Sequence, residues 1–377
     1  MTFMYQKAVD ALKAEITAGR RWKPGDAFLG VKDICARFQV SHLTAVRVLD
    51  GLKALQLVES RRGAGTFVAQ TRRLIGFLSP DFGLAPFFPL IRKEVSDLCQ
   101  RNGITFEVHE IDHISRPDFP VRLENAAHTL VAHKPSGIIY LPAANITPFQ
   151  DCDSPPSHID SQILAPFAQA KIPVVLLDSG IESPLEDRYD LVGVDNRAIG
   201  VKLGRHLVEQ DARRILFVSW QSSSPNVRDR LSGLKEVVCT AGKDLSAYVL
   251  TKSNIRDFRL RFKSSERPDA VVCSSDRVAL MVLNLLRKSG IRVPEDVLLS
   301  GIDGIAPARD ADLTTVQQPF REIARAACET LLNRIARPGS LPRHLTLATT
   351  LLPRASTARA QTHAQEGACG LCYTPAP

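Results

Sequence analysis

The chain has 377 residues, 44% of them apolar and 23% charged, a length that exceeds one ordinary domain and calls for two or three folded units. No run of about eighteen apolar residues is present to span a bilayer, which excludes a helical membrane protein. The net charge of +8 is unevenly spread: residues 1–72 hold twelve Lys and Arg against six Asp and Glu, a net +6, and the remainder carries only +2.

A small unit that gathers most of the positive excess suits a polyanionic partner, most simply DNA. The first residues, MTFMYQKAVDALKAEI, are charged and amphipathic from the first turn, without the apolar core and small-residue cleavage site of a secretory signal, so the expected location is the cytoplasm. Val9, Leu12 and Ile16 recur at three- and four-residue steps and predict a helix over Tyr5–Ala18, which GRRWKPGD stops. A second helix fits Val31–Phe38 with Ile34 and Phe38 inward. A third begins at Ser41, whose hydroxyl can accept the free N–H of Thr44, and runs Val46, Leu49, Leu52 toward a core. Two short helices joined by QVS are the signature of a helix-turn-helix.

After Leu57 the period changes. LVES and TFVA are short β-prone runs, and RRGAG between them supplies two glycines for a tight turn, so a β-hairpin wing is predicted. In this arrangement the start of the third helix meets base edges in the major groove while the wing lies along the backbone or minor groove. The candidate DNA contacts are therefore Lys32, Ser41, His42, Thr44 and Arg47 in the helices, and Arg61, Arg62, Gly63 and Gly65 in the wing. Ser and Thr also favour helix starts whatever they bind, and charged loop tips are common, so each residue alone is weak and the set with its charge excess is not.

The run KPGD, the helix VSxxTAxRxLxxL and the closing GxGTFV resemble the winged helix of the GntR family of bacterial transcription regulators over residues 4–69. His42 and Val46 stand where that family often has Arg, so the resemblance implies the reading head but not its operator sequence.

From Leu74 the pattern alternates. LIGFLS, TFEVHEI, GIIYLP, VVLLDS, LVGV, RILFVS, AVVCSS and VLLSGID read as strands, with amphipathic helices predicted between them: Phe88–Gln100, Arg122–Val131, Ile163–Gln169, Ala198–Val208, Arg228–Cys239 and Arg277–Arg287. Roughly ten strands exceed one comfortable sheet, so the predicted class is α/β: the winged helix-turn-helix followed by two doubly wound parallel-sheet lobes. Ligands of such sheets sit beyond the carboxyl ends of the strands. The residues there are Asp81, Asp178, Asp195, Asn196, Ser275, Asp276 and Asp303, with Arg230 facing them and Phe87 and Phe88 available to stack on a ring. A cleft lined by Asp, Asn and Arg can accept from and donate to a polyhydroxyl ligand such as a sugar. Phe beside a helix start is as often core, and Asp276 is equally placed to cap the helix that follows it.

VDNRAIG, RLSG, SSDRVAL, GIRVPEDVLLSGIDG and DLTTVQQP, in that order, resemble the effector domain of the LacI/GalR family, itself similar to periplasmic sugar-binding proteins, from about Leu74 to Arg354. The resemblance implies a periplasmic-binding-protein-like fold whose sugar pocket includes Arg230, Asp276 and Asp303, lobes connected near Asp178, Asp303 and Pro338, and a homodimer whose wing spacing on a two-fold operator changes as the lobes close. Ser275-Asp276 and Asp303-Gly304 replace the family's Asn-Asp and Asp-Asp, which leaves the sugar open.

The expected domains are a DNA-binding head at 1–70, a linker at 71–73, a two-lobed sensor at 74–355 and a disordered tail at 356–377. Pro142–Ser161 reads as a surface excursion. The eight cysteines, several in apolar segments (Cys99, Cys239, Cys273, Cys328), suit reduced thiols, and the lone CxxC of Cys369 and Cys372 lacks a second pair for a metal site. No cofactor is implied. No GxSxG, P-loop or HExxH motif occurs, so the expectation is no enzyme but a regulator that acts as a repressor and senses a sugar or related small metabolite, with a cytosolic sugar binder that lacks specific DNA binding as the alternative.

Overall fold

The computed structural model describes residues 2–18, 21–55, 57–61, 63–69, 73–80, 88–112, 116, 118–143, 156–181, 183–220 and 224–358. The first unit is α1 (Thr2–Ala18), α2 (Val31–Phe38), α3 (His42–Ala54) and a hairpin of β1 (Val58–Arg61) and β2 (Gly65–Val68). Its apolar stripes meet in one small core in which Leu12, Ile34, Val48 and Leu52 are fully buried against Trp22 and Phe28. Gln39 takes a left-handed conformation (φ 53°) that ends α2 and turns the chain into α3. In the wing the strands pair antiparallel from Val58↔Val68 to Arg61↔Gly65, and Gly63 and Gly65 lie at φ 76° and 106°, where a side chain is strained.

The rest of the described chain forms two lobes. The first sheet has the order β4-β3-β5-β6-β7-β13, made of β3 (Leu74–Pro80), β4 (Thr105–Ile111), β5 (Gly137–Tyr140), β6 (Val174–Asp178), β7 (Asp190–Val194) and β13 (His344–Leu347), all parallel. One face packs on α4 (Phe88–Arg101) and α12 (Phe320–Ala336), the other on α5 (Phe119–Ala132) and α6 (Pro156–Gln169). The second sheet repeats that order as β9-β8-β10-β11-β12-β14, made of β8 (Arg214–Trp220), β9 (Asp244–Leu250), β10 (Ala270–Cys273), β11 (Leu298–Asp303), β12 (Thr314–Gln317) and β14 (Thr350–Leu352), the last antiparallel. α7 (Asn196–Glu209) and α8 (Pro225–Thr240) cover one face; α9 (Ile255–Leu260), α10 (Asp276–Arg287) and α11 (Ala306–Asp310) cover the other. Strands buried on both sides explain the nearly unbroken apolar runs that marked them in the sequence.

The crossings between lobes differ from the expected ones. The chain passes at Asp195 between β7 and α7, at Gln318–Pro319 between β12 and α12, and at Ala348–Thr349 between β13 and β14. Asp178 and Asp303 end strands whose successors stay in the same sheet, and Pro338 follows α12 within the first lobe, so none of the three is a crossing. The sensor also extends past residue 355. Ser356 and Thr357 are buried: the Ser356 Oγ donates to the Leu299 carbonyl at 2.6 Å, and the Thr357 hydroxyl lies 2.7 Å from both Thr314 Oγ1 and His206 Nε2. Cys369 and Cys372 lie outside the described residues. Of the four cysteines expected inside, Cys99, Cys273 and Cys328 are buried free thiols and Cys239 is exposed. The described ends of the segment expected as a surface excursion reach the core: Ala143 and Ile159 are buried, and the buried Asp160 accepts from Tyr140 Oη and, at 2.7 Å, from the Ala143 N–H.

Candidate nucleic-acid interface and effector cleft

The reading helix is built from its cap outward. Ser41 Oγ accepts the Thr44 N–H at 3.3 Å and lies 2.9 Å from the Thr44 hydroxyl, so these two candidates hold each other at the start of α3. His42 and Arg47 are exposed beside them, as is Lys32 on α2. Leu43, absent from the sequence candidates, is 63% exposed at the same tip, where an apolar side chain can meet a thymine methyl. In the wing the Arg61 guanidinium stacks 4.5 Å from the Phe67 ring centre and donates to Glu59 at 2.8 and 3.1 Å, so in the free protein it is held rather than loose. Arg62 lies outside the described residues.

The cleft between the lobes is organised by α7 and α8. These helices touch backbone to backbone: a Cβ on Gly200 would sit 2.0 Å from the Arg230 carbonyl oxygen, and one on Gly233 would sit 1.9 Å from that of Arg197. The close approach brings Arg230 onto Asn196. Arg230 is buried; its Nε donates to Asn196 Oδ1 at 2.8 Å and its Nη1 to the Ser274 carbonyl at 2.7 Å. From the other lobe Asp178 reaches the same place, and Asn226, one turn before Arg230 on α8, donates through Nδ2 to Asp178 Oδ2 at 2.9 Å. This bond bridges the two lobes directly.

Asp178 and Asp303 end the fourth strands of the two sheets and both have positive φ, 71° and 127°. A non-glycine residue held there costs about 1–3 kcal/mol, strain of the kind that gathers at functional sites. Burial raises the Asp178 carboxyl above its ordinary value, against the pull of Arg230 and Asn226. Burial also pushes Asp303 up to about 8; Asp276 and Asp178 add to this while Arg230 and the Gln318 amide, which donates at 2.9 Å, oppose it.

Asp276, a ligand candidate from the sequence, makes its bonds within the protein. Its carboxylate, fully buried, accepts from the N–H groups of Gly304 and Ile305 at 2.7 and 3.0 Å and from Thr315 Oγ1 at 2.6 Å, so it braces the turn after β11. Ser275 caps α10 through Val278 N–H at 3.3 Å, and Asp195 caps α7 through Ala198 N–H at 2.8 Å. Asp81 and Phe87 lie outside the described residues, as does the side chain of Phe88, the first residue of α4. Two further residues belong to the same rim. Ser79 at the carboxyl end of β3 and Gln318 in the second crossing are buried, and Ser79 Oγ and Gln318 Oε1 have no hydrogen-bond partner among the described residues. A buried polar atom left unpaired is costly, so both are suited to meet a bound hydroxyl.

Residues 4–68 match the family model described as bacterial regulatory proteins, gntR family, and residues 205–357 match that of the periplasmic binding protein-like domain. Among curated proteins, the HTH-type transcriptional repressor PurR of Aliivibrio fischeri (strain MJ11) is 25% identical over 309 residues, spanning 78% of this chain and 84% of the repressor. The ribose operon repressor of Haemophilus influenzae is 25% identical over 350 residues, 86% of this chain and 98% of the repressor. Among solved structures, the complex of the transcriptional regulator CelR with cellobiose superposes with a TM-score of 0.62 at 26% identity, covering 84% of this chain and 92% of that one. No helix among the described residues is long and apolar enough to cross a membrane.

Proposed function

We infer from the gntR-type reading head joined to a LacI/GalR-type effector domain that this chain is a ligand-responsive, sequence-specific DNA-binding transcription regulator, acting as a repressor. We propose that its effector is a sugar or a closely related polyhydroxyl metabolite. The single observation that carries the effector reading is the set of groups meeting between the lobes: the Arg230–Asn196 pair, Asp178 bridged to Asn226, and Asp303 beside Gln318. Asp178 comes from the first lobe and the others from the second lobe or a crossing, and the mixture of donors and acceptors is the kind that recognises several hydroxyls at once. Arg230, Asn196, Asp178, Asp303 and Ser275 would hold the ligand, with Asp276 keeping the turn beneath them in place. The relatives are named as regulators rather than enzymes, and two of them carry ribose or cellobiose in their names or titles.

In the head, His42 and Arg47 would reach base edges while Ser41 and Thr44 set the helix start, and Lys32 and the wing residues Arg61, Arg62, Gly63 and Gly65 would lie along phosphates. The working form in the cytoplasm would be a homodimer on a two-fold operator.

Fluorescence anisotropy on DNA from the protein's own promoter, at ~50 and ~200 mM salt with and without a panel of mono- and disaccharides, tests this reading. Tight binding that weakens steeply with salt and shifts with one sugar is the expected result. Negligible binding to promoter DNA at both salts, beside a measurable sugar affinity, would leave a cytosolic sugar binder.

A further inference from the structure

The turns from helix to strand at the amino ends of the sheets carry a charge pattern that the effector cleft does not use. Where such a turn uses a left-handed residue other than glycine, the first lobe has Lys134 (φ 52°) and Lys171 (φ 56°), whereas the second has Asp211 (φ 54°) and Asp312 (φ 53°). Asp tolerates that conformation better than most side chains; Lys has no such advantage. The same backbone need is met with opposite charge at opposite ends of the sensor.

The cationic end surrounds a cleft of about 600 Å³ whose wall includes Lys134, Lys171, Arg188 and Tyr189. Its floor is set by Arg334, which donates to Asp190 at 2.8 and 2.9 Å, and by the Arg343 N–H, which donates to the same carboxylate at 2.8 Å. Asp190 is thereby consumed, and Glu107 is taken by His109 and His133 at 2.7 and 2.8 Å. Lys134, Lys171, Arg188, Arg337 and Arg343 are exposed on these connections, and Asp187 is the exposed carboxylate beside them.

This end is also where the chain arrives from the reading head. The carbonyls of Arg73 and Leu74 accept the N–H groups of Thr105 and Ser136 at 2.8 and 2.7 Å, at the starts of the neighbouring strands. α12 connects the two places: Arg325, Cys328 and Leu332 line a small hollow with Lys13 of α1, and Arg334 and Ile335, the next residues along, line the cationic cleft.

We propose that this cleft is a second DNA-contacting surface, on which phosphates of the duplex flanking the operator lie across Lys134, Lys171 and Arg188. The inference rests on the DNA-binding reading above and extends it from the head to the sensor. Three phosphate contacts raise affinity without adding sequence preference, and each steepens the salt dependence by about one unit of log K against log salt.

The full-length triple variant Lys134→Glu/Lys171→Glu/Arg188→Glu tests it against wild type by anisotropy on two promoter duplexes. One is trimmed to the footprint of the head; the other extends it by ~10 base pairs on each side, about one turn of the helix. A milder pair, Lys134→Gln/Lys171→Gln, and circular dichroism guard against misfolding. The expected result is that the triple variant binds the trimmed duplex as wild type does, loses tenfold or more on the extended one, and loses about six units of salt slope there, three for each protomer of the dimer. Equal affinities of wild type and both variants on the extended duplex would overturn the proposal, as would an equal loss on both duplexes, which would place the effect in the head. Saturable binding of inorganic pyrophosphate that the triple variant abolishes, with DNA affinity unchanged, would overturn it in favour of a small-anion site. Failure of wild type to bind either duplex would instead sink the DNA-binding reading on which the proposal rests.

Discussion

Asp303 concentrates several costs in one residue: a left-handed backbone at φ 127°, nearly complete burial and a carboxyl pushed up to about 8. Because the folded state holds this proton far above the ordinary value of 3.8, the group's contribution to stability is greatest below that value. It declines as pH rises toward 8 and is flat beyond. Asp303→Asn keeps the shape and removes the titration. Thermal melts of the effector-free protein should therefore show the variant gaining on wild type steadily between about pH 5 and pH 8, with no further gain at about pH 9. A pH-independent difference would mean that the carboxyl is not held protonated. Sugar affinity should fall at least tenfold in the same variant if Asp303 accepts a ligand hydroxyl, the cost of leaving a buried partner unpaired.

At the scale of elements, the α7–α8 contact sets the position of the cleft's main cation. Gly233→Ala would drive a methyl group into the Arg197 carbonyl, against backbone that cannot yield as a side chain can. The variant should lose about 3 kcal/mol by denaturant titration and most of its sugar affinity, because Arg230 would move off Asn196. The head should keep its DNA affinity if the two modules fold independently. The chain's last described turn matters in the same way: ending the protein after Ala358 should leave the melting temperature unchanged, and ending it after Pro353 should lower it, since Ser356 and Thr357 fasten β12 and α7. Such elements also show what can be read from sequence. The bounds of α2 and the Ser41 cap follow from local spacing and capping chemistry, and Asp178 and Asp303 follow from the rule that ligands lie beyond strand ends. β9 is not legible because it is an edge strand with most side chains exposed, and β12, β13 and β14 are not because three or four residues carry no period. Asn226, Gln318 and Ser79 were hidden for another reason. Asn226 meets Asp178 only because two lobes close across a separation of 48 positions, a juxtaposition that no local pattern encodes.

For the whole molecule, the Asn226–Asp178 bond is a latch between lobes, and its removal should be visible as a change of shape. Asn226→Asp would set two carboxylates against each other across the cleft. Small-angle scattering of the effector-free variant should then report a larger radius of gyration than wild type, and saturating sugar should reduce the difference. Identical scattering with and without the substitution would show that the bond does not hold the lobes. Lys202, which donates to Thr349 Oγ1 at 2.9 Å in the third crossing, is expected to contribute less, since it fastens a connection and not the cleft wall.

The three crossings at Asp195, Gln318–Pro319 and Ala348–Thr349 have a mechanical consequence. Three connections between the same two lobes restrict twisting and sliding more than bending. The head is joined to one of these bodies only, through Arg73 and β3, so the other acts as a lever whose angle is the whole message. A ligand in the cleft can then alter how often each angle is visited but cannot write a new one. Different effectors of this regulator should accordingly differ in how strongly they drive one common response, and not in the kind of response they produce.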